Sequence, residues 1–237
     1  MADSDRSRRV RKGEPAFDVA GALRHLRKAD PVLAGVMRRS VRYNVVPDGT
    51  QSLFHALSES IVYQQLSGKA AATIFARFVG LYASGKWEVG SGKGRNGRPR
   101  RRFPRPEDVI ATPHEVLRSA GLSNNKALAL KDLAAKTIDG TVPPLRSVKR
   151  MSDAELIERL TTVRGIGVWT VKMLLMFRLG RPDVLPVGDL GVRKGYMLAY
   201  GLDEMPTPKE LLQLGEVWRP FRSVGSWYMW RACELNY

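Results

Sequence analysis

Asp189 closes the run Leu185-Pro186-Val187-Gly188-Asp189, and a helical pattern from Leu190 to Tyr200 follows it directly. An acid just before a helix is an N-cap, and the positive end of the helix dipole favours its ionised form. A fixed carboxylate can also stabilise a growing positive charge or position a water for attack. Local sequence leaves both readings open. Upstream, Gly165-Ile166-Gly167 lies between two helical patterns in LTTVRGIGVWT. Its glycines permit a sharp bend. The Ile166 to Trp169 amides then open the next helix, where an anion is favoured. The plain alternative is a helix-to-helix turn with glycine caps.

The 237 residues carry a net charge of +16, with a pI of about 10.4. That is the electrostatic footprint of a polyanion binder, with nucleic acid first. An anionic membrane surface is the weaker reading, because no long basic amphipathic anchor is visible. Charge kept for solubility is the plain one. The single cysteine, Cys233, excludes a disulfide framework and a four-cysteine metal cluster, and fits a reducing compartment. No apolar run approaches the roughly 18 residues of a membrane span. The N-terminus lacks a hydrophobic signal core, which argues against export. His25, His55 and His114 are scattered without metal-ligand spacing and read as surface or capping residues.

Helices must position these groups. Residues 1–15 are basic and without apolar periodicity, so they read as a disordered tail. Helical periodicity begins at Phe17, and Asp30-Pro31 is an N-cap and N1 pair. Gln51 to Leu81 reads as two helices broken near Ser67-Gly68. Residues 85–105 hold eight Lys or Arg and one Glu among glycines and prolines, and read as a mobile basic loop. It is either a second grip on phosphates or a tolerated insertion. Further helices are expected from Pro106, from Thr112-Pro113, over Asn124 to Thr137, from Ser152 to about Thr162, and over Val168 to Leu179. Leu190 to Tyr200, Pro208 to Gly215 and Pro220 to about Leu235 complete the set. Asn44 to Pro47 and Lys86 to Val89 are the only candidate strands. The chain is therefore mainly α.

The hairpin with its flanks, followed by Arg-Pro-Asp-Val-Leu-Pro-Val-Gly-Asp, resembles the helix-hairpin-helix DNA glycosylase superfamily. Within it the chain is most similar to the alkylation-repair branch, the DNA-3-methyladenine glycosylase II type. Ser-Ile-Val-Tyr-Gln-Gln-Leu-Ser-Gly-Lys-Ala-Ala and Trp-Arg-Pro-Phe-Arg-Ser-Val-Gly-Ser-Trp-Tyr-Met-Trp agree. The resemblance runs from about Ala29 to Tyr237, leaves out the tail and fits residues 85–105 poorly. It implies one glycosylase domain over 16–237, with two helical subdomains flanking a DNA-binding and active-site cleft. The hairpin motif occupies about 153–180. An extra β-rich N-terminal domain of some relatives is not expected.

The resemblance assigns Asp189 as the catalytic carboxylate. It would stabilise the positive sugar at a breaking C1′–N bond, or activate water. Relatives that also cut the strand carry a lysine just after the hairpin for a Schiff base. Trp169 stands there, so base excision without strand cleavage is expected. N-alkylated purines such as 3-methyladenine and 7-methylguanine are cationic good leaving groups, and an aromatic pocket would favour them by about 0.5–2 kcal/mol. Its candidates are Trp169, Tyr63, Trp230 and Met173, the last standing where the family has another aromatic. Trp218, Trp227 and Phe221 read better as core. Gln65 or Leu66 is the wedge that would fill the gap left by an everted base. Gly165, Ile166, Gly167, Arg164, Lys172 and Arg193 are candidate backbone contacts, with Lys194 and Arg222 as further phosphate partners. No side-chain metal site and no required cofactor are expected. The hairpin carbonyls of Thr161, Val163 and Ile166 could hold a monovalent cation. The implied partner is double-stranded DNA with alkylated bases, without a membrane, bound by a monomer. The setting would be a bacterial cytoplasm and nucleoid or a eukaryotic nucleus. Two alternatives stand: a strand-cutting glycosylase for oxidised bases, and a non-catalytic helix-hairpin-helix repair module.

Overall fold

The computed structural model describes residues 17–47, 50–82 and 103–235. The tail at 1–15 and nearly all of the basic loop at 85–105 lie outside them, as does the strand expected at 86–89. In chain order the helices are α1 Val19–Ala29, α2 Pro31–Arg39, α3 Leu53–Tyr63, α4 Gly68–Gly80, α5 Pro106–Ala111, α6 His114–Ser119 and α7 Asn124–Ile138. There follow α8 Leu145–Val148, α9 Asp153–Thr161, α10 Val168–Met173, α11 Leu190–Tyr200, α12 Pro208–Leu214 and α13 Arg222–Ala232. No strand forms among the described residues. The Asn44 to Pro47 segment is irregular instead. Beside it, the Tyr43 N–H donates to the Tyr228 hydroxyl at 3.1 Å rather than to a ladder partner. No described helix is long and apolar enough to cross a membrane.

Caps set the boundaries. Asp18, Asp30, Ser52, Ser67, Ser123, Ser152, Asp189 and Thr207 each accept a backbone N–H from the first turn of their helix. Two boundaries differ from expectation. Thr112 does not cap α6. It is buried, and its hydroxyl donates to Asp108 O and meets the Tyr82 hydroxyl, so Pro113 becomes the N-cap. The helix after the hairpin is α only to Met173. Leu174–Arg178 forms a π turn, with Leu179 N reaching Leu174 O.

The chain forms two compact units. One is Thr50–Val171, and the other joins the segments on either side of it, the chain crossing back within α10. In the first, α7 packs against α3, α5 and α6. Leu57, Ile61, Val109, Leu117, Leu130, Leu133, Leu156 and Leu160 form its buried interior. Phe103 adds an edge contact to Phe54 and His55.

In the second unit α11 and α13 are the principal pair, with α1 and α2 against α13. They meet at the backbone: a Cβ on Gly195 would fall 1.8 Å from the Met229 carbonyl oxygen. Trp218 is fully buried, and its indole N–H donates to Asp30 at 2.7 Å. Asp30 also accepts from Leu33 N and from the Tyr200 hydroxyl. One aspartate thus caps α2 and ties the N-terminal helices to the C-terminal segment. Trp227 is buried with its ring edge-on to Tyr43, and Phe221 packs on Phe17 and His25. Trp218 and Trp227 are core, as expected, and Phe221 packs partly buried against it.

Candidate active site

In the Thr50–Val171 unit, the hairpin joins α9 to α10. Gly165 has φ of +78°, a left-handed backbone that a side chain would strain. Among the described residues a Cβ on Gly167 would meet nothing within 4 Å, so the bend is open there. Ile166 differs from expectation. Its side chain is buried, and its N–H donates to Val163 O at 3.0 Å. It anchors the bend inward, so the amides facing outward begin at Gly167, where helix geometry supplies no acceptor. Val163 O keeps a second lone pair after that bond.

Asp132 on α7 clamps the hairpin from below. It accepts the Arg164 backbone N–H at 2.7 Å and the Lys136 ammonium at 2.8 Å. Partial burial would raise the Asp132 pKa, but the Arg164 N–H and Lys136 together hold it below the usual carboxylate value. Lys136 also donates to Thr162 O. The Arg164 guanidinium is exposed, reaching Asn125 at 3.4 Å.

Trp169 opens α10 and is 52% exposed, a large aromatic presented to solvent. Tyr63 ends α3, half-open, with Phe75 at its ring edge. The chain then turns through Gln64 and Gln65. Among the described residues Gln65 is the only non-glycine with positive φ, at 57°. Such a conformation costs on the order of 1 kcal/mol and persists only where neighbours enforce it. The neighbours are visible. Gln64 Nε2 donates to Gly165 O at 2.8 Å. Lys126 Nζ donates to Val62 O at 2.7 Å and to Gln64 O at 2.8 Å. Burial lowers the Lys126 pKa. Gln65 and Leu66 are both exposed at this tip.

In the other unit, Asp189 is 9% exposed. Its Oδ1 accepts the Val192 N–H at 2.9 Å and the Trp230 indole N–H at 2.8 Å. The carboxylate is therefore held between the start of α11 and a side chain of α13. Phe177 lies against the Trp230 ring, with centroids 5.8 Å apart. Gly191 makes room: a Cβ there would sit 2.7 Å from Trp230 Cδ1. Met173 is half-buried near the end of α10.

Three cations are engaged within the protein, which their sequence positions did not reveal. Lys172 Nζ donates to Leu185 O at 2.9 Å, bracing the loop that leads to Asp189. Burial, then the nearby Arg222 charge, lowers its pKa. Arg193 Nε donates to Pro206 O at 2.7 Å. Arg222 grips Asp183 with Nε at 2.7 Å and a second nitrogen at 3.0 Å. Lys194 stays exposed. The histidines make local contacts: His25 with Arg219 O, His114 with Asn124, and His55 with Phe103. No metal-ligating cluster forms among the described residues.

Comparison with known proteins gives these geometries a family. The model of the HhH-GPD superfamily base excision DNA repair proteins matches residues 59–220. DNA-3-methyladenine glycosylase 1 of Schizosaccharomyces pombe is 38% identical over 182 residues, covering 77% of this chain and 73% of that protein. Among solved structures, a 3-methyladenine DNA glycosylase of the same yeast in complex with abasic DNA superposes with a TM-score of 0.70 at 35% identity. It covers 91% of this chain and 98% of its own. A DNA-3-methyladenine glycosidase of Bacillus halodurans gives a TM-score of 0.73 at 29% identity, over 92% of this chain and 89% of its own.

Proposed function

The chain belongs to the HhH-GPD superfamily of base excision DNA repair proteins, and within it we propose a DNA glycosylase that excises alkylated purines without cutting the strand. The observation that carries the reading is the Asp189 carboxylate, oriented by the Val192 N–H and the Trp230 indole at the start of a helix. As the C1′–N bond lengthens, the sugar gains positive charge. A pre-oriented carboxylate stabilises that charge, or aligns the water that attacks it. The purine leaves with the bond's electron pair. The water oxygen joins C1′ and its proton is released. A base already cationic by N-alkylation leaves neutral, so 3-methyladenine and 7-methylguanine suit a site with little acid catalysis.

DNA is the partner. The open space at Gly167 and the first amides of α10 suit a strand phosphate, which fixes register without reading sequence. The carbonyls of Thr161, Val163 and Ile166 would add a monovalent cation beside that phosphate. Gln65, held in its strained conformation at an exposed tip, suits the wedge, with Leu66 next to it. Exposed Trp169 suits stacking on an everted base. Lyase chemistry would need a free amine. Trp169 stands at the lysine position of strand-cutting relatives, and the Lys172 ammonium is directed at Leu185 O.

The test incubates the protein with methylated duplex DNA and measures free bases and strand breaks separately. Release of 3-methyladenine without breaks before alkali is expected. Breaks in untreated samples would establish a lyase, and DNA binding without any base release would establish the non-catalytic module.

A further inference from the structure

Trp230 and Tyr228 are two residues apart on α13, so about 200° of helix rotation separates them. Trp230 turns to Asp189 on α11. Tyr228 turns the other way, toward α1 and α2, where a cavity of about 410 Å³ opens. Leu23 and Met37 give it an apolar floor, and Arg24, Arg27 and Arg42 surround it. The cavity lies outside everything the excision reading uses.

Its polar groups are unbalanced. Arg24 meets Asp18 at 3.8 Å, with both side chains well exposed. Arg27 and Arg42 have no ion pair among the described residues. The Ser40 hydroxyl donates to Val36 O and so presents no proton. Tyr228 is the telling member. It is 1% exposed, and its hydroxyl accepts the Tyr43 N–H at 3.1 Å. Its own proton meets no acceptor among the described residues, although a buried hydroxyl ordinarily finds one. Burial raises the Tyr228 pKa, and the Tyr43 N–H, Arg27 and Arg42 oppose that rise more weakly. The hydroxyl therefore keeps its proton at neutral pH and can donate it.

We propose that this cavity binds a phosphate-bearing anion, with oxygens received by the Arg27 and Arg42 guanidinium groups and by the Tyr228 hydroxyl. Two unpaired guanidinium forks match the geometry and charge of a phosphate group. The tyrosine supplies the third donor from the floor. Arg24 stands at the rim and can exchange its loose contact with Asp18 for the ligand. The phosphate comes either from a DNA strand or from a free phosphate compound. The site does not depend on the excision reading, because no residue of the Asp189 centre lines it.

Inorganic pyrophosphate is the probe, titrated calorimetrically at low salt into the full chain. Arg27→Ala/Arg42→Ala should weaken binding by about tenfold or more. The charge-matched control Lys28→Ala/Arg38→Ala, outside the cavity, should change it less than about twofold. Tyr228→Phe, checked for folding by circular dichroism, should weaken binding with no change of charge. Undamaged duplex DNA separates the sources. If the strand supplies the phosphate, DNA displaces pyrophosphate, and the salt dependence of DNA binding falls in Arg27→Ala/Arg42→Ala by about one phosphate's slope. If DNA leaves pyrophosphate bound, the ligand is a free phosphate compound. Failure of pyrophosphate to bind the wild type, or equal losses in the two double variants, overturns the proposal.

Discussion

Asp189 serves as helix cap and as the proposed catalytic carboxylate, and substitution can separate the two. Asparagine keeps an acceptor for Val192 N and Trp230 Nε1 but removes the charge. Asp189→Asn should therefore leave folding and DNA affinity near wild type while lowering base release by about 10²–10³ or more, the scale of losing one preorganised electrostatic partner. Single-turnover release from methylated DNA, alongside a binding isotherm, measures both. Release at the original rate would remove Asp189 from the mechanism. Local sequence made Asp189 legible as a helix cap, and the structure shows that cap; its catalytic role came only from the family resemblance. Gln64, Lys126 and Asp132 were not legible. Gln64 meets Gly165 101 positions away, Lys126 meets Val62 at 64, and Asp132 meets Arg164 at 32. In sequence Asp132 and Lys136 look like an ordinary surface pair one helical turn apart.

The hairpin shows the same division at the level of elements. Its bend was readable from two glycines, but the glycines do different work. Gly165 is required by its own backbone, whereas none of the described residues requires Gly167. Gly165→Ala should cost about 1–2 kcal/mol of stability through its left-handed φ, read as a lower urea midpoint. Gly167→Phe should leave stability within about 0.5 kcal/mol of wild type. It should weaken binding to every duplex alike, because a phosphate contact carries no sequence information. A sequence-selective loss at Gly167 would remove the phosphate from this bend. Helix positions followed from apolar periodicity and caps. The π turn at Leu174–Arg178, closed by Leu179 N on Leu174 O, and the irregular 44–47 segment did not.

At the scale of the whole molecule, buried phenols should set the alkaline limit. Burial pushes Tyr43, Tyr82 and Tyr196 up to about 12, against about 10 in an unfolded chain. Below pH 10 both states keep the proton and stability is unaffected. Between about 10 and 12 the unfolded chain binds fewer protons than the native one, so stability falls as pH rises. Urea midpoints should be level from pH 8 to 9.5 and drop by pH 11, and a flat profile to pH 11 would show that these rings titrate normally. The mainly α character was legible from periodicity and capping, and the family from the resemblance carried by the hairpin, its flanks and the run that ends at Asp189. The discontinuous unit was not, because its integrity rests on Asp30 reaching Trp218 and Tyr200 across 188 and 170 positions. That reach fixes an order of events during synthesis. When α1 and α2 leave the ribosome, the indole and phenol that satisfy their buried aspartate do not yet exist. The Thr50–Val171 unit is complete first, while the two leading helices wait with an apolar face uncovered. The unit that carries Asp189 is thus the last to be completed, and a chain stopped short of Tyr200 would lack both partners of Asp30.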